Sequence, residues 1–412
     1  MDYDVIVCGA GPAGSMAALT AAQAGLKVAL LEKRCLPRHK PCGGGTPMVM
    51  QQFLRDLAPA AFVESDVTQM RHTWNFSDAY LAEINPAGAD RRYSIWMMQR
   101  PIFDNTLAQQ AAKAGSDLKD GVAVRSLEIQ DNGVRVVAQR VKAESDTSTA
   151  EFTLNASYLI GADGANGITA QATSLCQQRT IAIALEIEHP HTWGQGHADL
   201  RPDVLHLEYG AVPRGYAWVF PKADHLNIGA GLFRPQKGDS RTSRSIRAEL
   251  QQAVFNYMDS VGLEYQPQRI KFYGHPLPLW NGRQQRHSSD GRVLLVGDAA
   301  GLINPLFGDG ILHAVKSGII AANCVIEGVP QFYSDRIHAE FAANFDAALF
   351  LAKFFYRFPK SCYQYGVKNP RATRIATQLL AGELSFTDLA GRAMRRIVSR
   401  SVKDRLHLPS WG

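Results

Sequence analysis

Asp4-Val5-Ile6-Val7-Cys8-Gly9-Ala10-Gly11-Pro12-Ala13-Gly14 stands near the start of the chain, and its reading decides the fold. An apolar run ending in Gly-x-Gly-x-x-Gly is a strand turning into a helix. Gly9 permits the tight turn, and Gly11 lets the backbone approach a pyrophosphate. Gly14 lets the helix pack on the strand, with Ala13 beside it, and the helix N-terminus favours negative charge. The next strand, Val28-Ala29-Leu30-Leu31, delivers Glu32 eighteen residues after Gly14, placed to accept from a ribose hydroxyl. Strand, helix, second strand and acid are in register, so a dinucleotide site is expected here.

Other clusters farther along fit the same ligand. Arg100 and Asp104 open a helix with Pro101 in its first turn and suit the adenosine and pyrophosphate side. Gly161-Ala162-Asp163-Gly164 ends a strand, where a ligand-facing loop belongs in an α/β sheet. Gly297-Asp298 ends another, after Val293-Leu294-Leu295-Val296. Asp298 is placed for a ribityl hydroxyl, and the helix after Gly310 points its N-terminal dipole at a flavin ring. The predicted fold class is α/β. A discontinuous Rossmann-type FAD-binding domain covers 1–70, 100–178 and 279–330. A strand-rich substrate domain is inserted at 71–99 and 179–278, and 331–412 forms a helical C-terminal region. Residues 122–141 read as a hairpin turning at Asp131-Asn132-Gly133, and a helix is expected at about 241–260.

With these motifs the chain resembles the para-hydroxybenzoate-hydroxylase-like flavoproteins, and within them the geranylgeranyl reductase family. Two segments carry the finer likeness. Lys40-Pro41-Cys42-Gly43-Gly44 is similar to that family's Pro-Cys-Gly-Gly loop. Pro213-Arg214-Gly215-Tyr216-Ala217-Trp218-Val219-Phe220-Pro221-Lys222 matches its Pro-x-x-Tyr-x-Trp-x-Phe-Pro motif at every fixed position. The resemblance implies cofactor contacts at Cys42, Gly43, Val124, Asp163, Gly164, Asp298, Gly310 and Ile311, besides the glycine fingerprint, Glu32, Arg100 and Asp104. One departure stands out: Gly167 occupies a position that is often Ser in the family.

Tyr216, Trp218 and Phe220 alternate, so on a strand they share one face. Three aromatics on one face build an apolar wall suited to a prenyl chain. The same spacing also serves a core strand under a helix. The aromatic hydroxylases of the superfamily carry His and Asn where this chain has Gly301 and Ile311. The halogenase motif Trp-x-Trp-x-Ile-Pro is only a relative of the segment at 216–221.

The resemblance implies an FAD-dependent enzyme that saturates carbon–carbon double bonds of a geranylgeranyl or related prenyl group. Tyr216 and Cys42 are the expected proton donors or relays. The alternatives are an FAD-dependent monooxygenase or halogenase, and a non-catalytic membrane-associated flavin-binding protein. No second Gly-x-Gly-x-x-Gly follows a strand, so NADPH visiting the flavin or a ferredoxin is expected as reductant.

Composition bounds the rest. Of 412 residues, 46% are hydrophobic and 20% charged, ordinary for a folded protein. No apolar run reaches the ~18 residues of a membrane span. Six cysteines lie scattered, without the spacing of a zinc site or a disulfide framework, and no metal is expected. The chain runs straight into a strand with no signal segment, so a cytoplasmic location is expected. Residues 331–412 hold 13 Lys and Arg against 6 Asp and Glu, so the net charge of +6 is concentrated there. Met394, Val398, Val402 and Leu406 form a stripe among Arg392, Arg395, Arg396, Arg400, Lys403 and Arg405. That pattern suits peripheral contact with an anionic inner or photosynthetic membrane. A terminal helix docked on the protein would give the same stripe. The expected partners are a prenyl-chain small molecule or lipid and an electron-donor protein, with no nucleic acid.

Overall fold

The computed structural model describes residues 1–85, 87–89, 92–141, 151–233 and 243–389. The basic stripe at 392–406 lies outside the described residues.

The fingerprint forms a strand at Tyr3–Cys8 and a helix at Pro12–Gln23. The strand is fully buried from Val5 to Cys8, which accounts for its unbroken apolar run. It pairs in parallel with Val28–Glu32 on one side and Glu151–Gly161 on the other. Asp117–Asp120 extends the sheet beyond Val28–Glu32, and Val293–Leu295 pairs in parallel with the end of Glu151–Gly161. The hairpin Val122–Gln130 and Gly133–Arg140 completes seven strands, turning where the Asn-Gly pair predicted. The ends of Tyr3–Cys8, Glu151–Gly161 and Val293–Leu295 therefore meet at one rim. There the chain turns into Gly9, Ala162-Asp163 and Gly297-Asp298.

A second seven-stranded sheet runs in the order 273–279, 180–190, 225–232, 215–221, 204–208, 69–74, 77–83. Its two faces have different partners. Leu185, Ile187, Ala217, Val219 and Ile228 point to the helix Ser243–Ser260, whose Ile246, Leu250, Ala253, Val254 and Tyr257 cover them. The period-2 alternation of a strand then sends Ala184, Glu186, Tyr216, Trp218 and Phe220 to the opposite side. That side faces the rim of the first sheet.

A three-stranded sheet of Gly45–Pro47, Ser65–Val67 and Ile95–Met97 stands between the two. The helix Ile311–Ile326 packs on Pro12–Gln23, and Gly318 allows the contact: a Cβ there would lie 2.1 Å from the Ala13 carbonyl oxygen. Helices follow at Tyr333–Ile337, Ala343–Phe355 and Ala372–Ala381. Pro359 starts a short helical turn at Pro359–Cys362, because proline is accommodated in a first helical turn.

Candidate active site

One cleft of about 2320 Å³ runs between the rim of the first sheet, the inner face of the second and the C-terminal helices. It exceeds the roughly 300–1,000 Å³ of an ordinary single-ligand pocket. It has room for a dinucleotide and a second elongated ligand.

Gly9, with φ +107°, makes the turn at one end, and a Cβ there would come 2.4 Å from the Ala162 carbonyl oxygen. A Cβ on Gly14 would meet the Gly9 carbonyl oxygen at 1.8 Å, so the helix touches the turn only because residue 14 is glycine. Gly11 is different: the atoms nearest a Cβ built there would be guanidinium nitrogens of Arg38 and Arg100, each 3.9 Å away. Backbone, helix N-terminus and two cations converge there on one space.

Those cations are held by a buried ion-pair chain. Arg100 donates to Asp104 at 2.7 and 2.9 Å. Arg38 donates to Asp104 at 2.9 Å and pairs with Glu32 at 3.1 Å. Glu32 also accepts from the Ala10 amide at 3.1 Å, which ties it to the fingerprint loop. Arg38 lies in the irregular loop before the Pro-Cys-Gly-Gly run, and no local pattern singled it out.

Asp163 accepts from the amide and hydroxyl of Thr169 through Oδ2, while its buried Oδ1 has no partner. A Cβ on Gly167 would lie 2.0 Å from the Asp163 Cγ. The departure from Ser at 167 therefore matches how this aspartate lies over the backbone. Asp298 faces His275 at 3.4 Å, and His275 Nε2 meets Lys40 Nζ at 2.8 Å. Burial works against the Asp298 charge, but His275 and Lys40 outweigh it and lower its pKa. Burial pushes Lys40 down to about 8. The helix Ile311–Ile326 begins at Gly310 with no side-chain cap, and Gly310 and Ile311 line the cleft with Val124 and Gly164. Two uncapped helix N-termini and an unpartnered buried carboxylate oxygen thus open onto one elongated space. This donor and acceptor set fits FAD.

Trp218 and Phe220 adjoin the Cys42–Gly43 loop. The wall's rings are spaced 5.9 Å (Tyr216–Trp218) and 6.1 Å (Trp218–Phe220). Tyr216 stacks on Phe233 at 4.6 Å, and its hydroxyl donates to the Phe307 carbonyl at 2.5 Å. Trp218 donates to Asn227 at 2.8 Å. Lys222, buried at the end of the same strand, donates to the carbonyls of Gly43 at 2.6 Å and Met98 at 2.8 Å. Burial lowers its pKa to about 8. The Gly44 amide donates to Cys42 Sγ at 3.4 Å. Lys40 and Lys222 stand inside the two quoted motifs, yet residue type alone gave them no role. Glu186 and His275 belong to no motif, although an acid between Leu185 and Ile187 in an apolar strand is a visible signal.

The profile of the FAD binding domain family matches residues 2–323. A geranylgeranyl diphosphate reductase of Rhodobacter capsulatus is 31% identical over 331 residues, covering 79% of this chain and 75% of that protein. Among solved structures, a geranylgeranyl bacteriochlorophyll reductase-like protein from Thermoplasma acidophilum superposes with a TM-score of 0.71, at 21% identity over 93% of each chain. A flavin-dependent brominase does so with a TM-score of 0.72, at 19% identity over 97% of this chain and 99% of that one. Both structures are alike in fold, and at these identities the likeness ends there.

Proposed function

Since the chain belongs to the geranylgeranyl reductase family of FAD-binding oxidoreductases, we propose that it saturates carbon–carbon double bonds of a geranylgeranyl or related prenyl chain. The observation that carries this reading is the continuity of the cleft. It leads from the nucleotide end, past Cys42 and the wall of Tyr216, Trp218 and Phe220, to Leu351, Phe355 and Leu380 in the C-terminal helices. A long apolar chain is the ligand that such a passage suits.

Gly9, Gly11, Ala13, Glu32, Arg100, Asp163 and Asp298 would hold the FAD, with Arg38 joining them; Gly14 and the fully buried Asp104 act from behind, packing helix on strand and holding the two arginines. Bound FAD supplies two-electron reduction of the alkene. The chain's own residues bind and orient the prenyl group and exclude water. An unactivated double bond offers no electron sink, so placement and dryness count heavily. Trp218 and Phe220 give the alkene its wall. The Tyr216 proton is committed to Phe307, and burial raises the pKa of that phenol; its part is to position the wall. Cys42, half-buried in the loop that faces Trp218 and Phe220, is the proposed relay of a proton.

At the far mouth of the cleft, Phe350, Phe354, Phe358 and Tyr365 are 69%, 56%, 47% and 86% exposed. Lys353, Arg357 and Lys360 are exposed among them. We place peripheral contact with an anionic membrane on this patch, where aromatics enter the headgroup layer and cations meet its charge. Among the described residues no helix is long and apolar enough to cross a membrane.

The test is anaerobic incubation of the FAD-loaded, reduced protein with geranylgeranyl diphosphate and with prenyl esters, followed by mass spectrometry. Products gaining two hydrogens per step support the reading. Products gaining oxygen in air, or halide, place the chain with the monooxygenases or halogenases instead.

A further inference from the structure

Glu186 is the one acid on the inner face of the strand Thr180–Pro190 that is deeply buried: it is 6% exposed and lines the cleft. Its neighbours on that face include Ala184, while Leu185 and Ile187 point into the core under Ser243–Ser260. Glu186 Oε1 has no hydrogen-bond partner. A buried carboxyl oxygen without a partner is costly and survives only with a use or a hidden compensation. The side chain of Asn227, which also receives the Trp218 indole, lies beside it, as does the Cys42 amide. It thus stands between the aromatic wall and the Cys42–Gly43 loop.

We infer that the Glu186 carboxyl is the acid of this cleft, protonating the alkene carbon that does not receive the hydride. The inference rests on the reductase reading above. The balance is simple. The π bond breaks and two C–H bonds form, one from a hydride and one from the Glu186 proton. The reduced flavin is the reductant and loses two electrons. The carboxylate left behind is stabilised by Lys222 and Lys40, whose charges act on it, and regains its proton from solvent.

Groups on every neighbouring element face it or the groups around it. Tyr273 is its partner on the strand Tyr273–Leu279, with His275 farther along. Gly229 and Asn227 lie on His225–Leu232. Lys222 ends Gly215–Pro221, and Lys40 and Cys42 sit on the loop opposite; Glu188 acts on Lys222 from the same strand as Glu186. Burial raises the Glu186 pKa to about 7, and Asn227, the lysines and the Cys42 amide oppose that rise. An acid with a pKa near the working pH both holds and releases its proton there.

The experiment uses FAD-loaded protein reduced with dithionite, with geranylgeranyl diphosphate as the probe. Single-turnover rates are followed across pH. In the wild type the rate should fall about tenfold per unit as pH rises beyond about 7. Glu186→Gln should lose that limb and run roughly 100-fold or more slower at pH 6.5, the scale of general-acid catalysis. Glu186→Asp should restore the limb at a reduced rate. Bound FAD and probe affinity should be unchanged in both. Infrared difference spectra of each protein between pH 6 and 8 give a readout free of turnover. The wild type should show a protonated-carboxyl band that disappears on raising pH and is absent from Glu186→Gln. A pH limb that survives in Glu186→Gln, or no such band in the wild type, overturns the assignment while leaving the reductase reading intact. A wild type that binds the probe and never reduces it removes the reductase reading itself. Should Glu186→Gln fail to fold, Glu186→Asp and the wild-type infrared titration still decide.

Discussion

Gly43 lies directly against Phe220: a Cβ on Gly43 would stand 2.7 Å from the ring and 3.7 Å from the Trp218 indole nitrogen. The family loop and the family aromatic strand, far apart in the chain, thus form one surface. Gly43→Ala must push the ring into the cleft or move the loop. The expected loss is ~1–3 kcal/mol of stability, as in other overpacked sites. Prenyl turnover should fall with it, read from thermal melts alongside steady-state rates.

Arg38 links Glu32 and Asp104 and is almost fully buried, its side chain 10% exposed. Arg38→Met leaves Asp104 with Arg100 but strips Glu32 of its cation. Breaking a buried pair from one side commonly costs ~3–5 kcal/mol. The loss should be divided between urea stability and FAD affinity, and fluorescence titration of cofactor-free protein measures the second. Unchanged FAD affinity would confine Arg38 to a structural part.

The wall and the loop should separate by chemistry. Trp218→Ala should spare FAD binding and abolish prenyl reduction, with ~3–5 kcal/mol of stability lost for a truncated buried aromatic. Tyr216→Phe keeps the ring and removes only the donor to Phe307, so it should cost ~0.5–1.5 kcal/mol and leave the shape of the pH profile unchanged. Cys42→Ala should fold normally and alter the rate or the product stereochemistry. Chiral analysis of the reduced prenyl product distinguishes these outcomes.

Glu186 also makes stability depend on pH. Its folded pKa, about 7, lies above that of an unfolded glutamate, so the folded state holds the extra proton. Its favourable contribution is full below the unfolded value near 4.5 and is lost as pH rises through about 7. The stability of Glu186→Gln relative to wild type should therefore improve from pH 5 to 7.5 and then level off. Lys222 and Lys40 shift in the opposite sense, and their linkage falls between about 8 and 10.5, above this window. Urea midpoints across pH test the sign.

Phe350→Ser with Phe354→Ser should lower co-sedimentation with anionic vesicles, since both rings are exposed on the helix Ala343–Phe355 and Phe354 lines the cleft. Binding should also weaken with salt, each cation being worth roughly 1 kcal/mol near an anionic surface. Soluble-substrate turnover should persist in the double variant. Equal sedimentation of variant and wild type would remove the patch from the membrane contact.

Much of the architecture was legible because it rests on local patterns. The turn at Asp131-Asn132-Gly133, the helix after Gly310 and the shared face of Tyr216, Trp218 and Phe220 all follow from short-range geometry. The buried network was not. Arg38 sits in a loop without period, and its worth comes from meeting Glu32 and Asp104, which arrive from other elements. At Gly167 the departure from the family's Ser has its reason in the Asp163 carboxylate lying over it, a contact no local pattern encodes.

The sequence by itself determined a dinucleotide-binding rim and an inserted sheet with an aromatic face. Glycine spacing and strand alternation are constraints between near neighbours, and near neighbours are written in order. Only the tertiary structure decided which groups share the interior of the cleft. Glu186, Lys222, Lys40, His275 and Cys42 come from four separated segments. The protonation of Glu186, Lys222, Lys40 and His275 depends on burial and on neighbouring charges, and neither exists before the sheets close on each other.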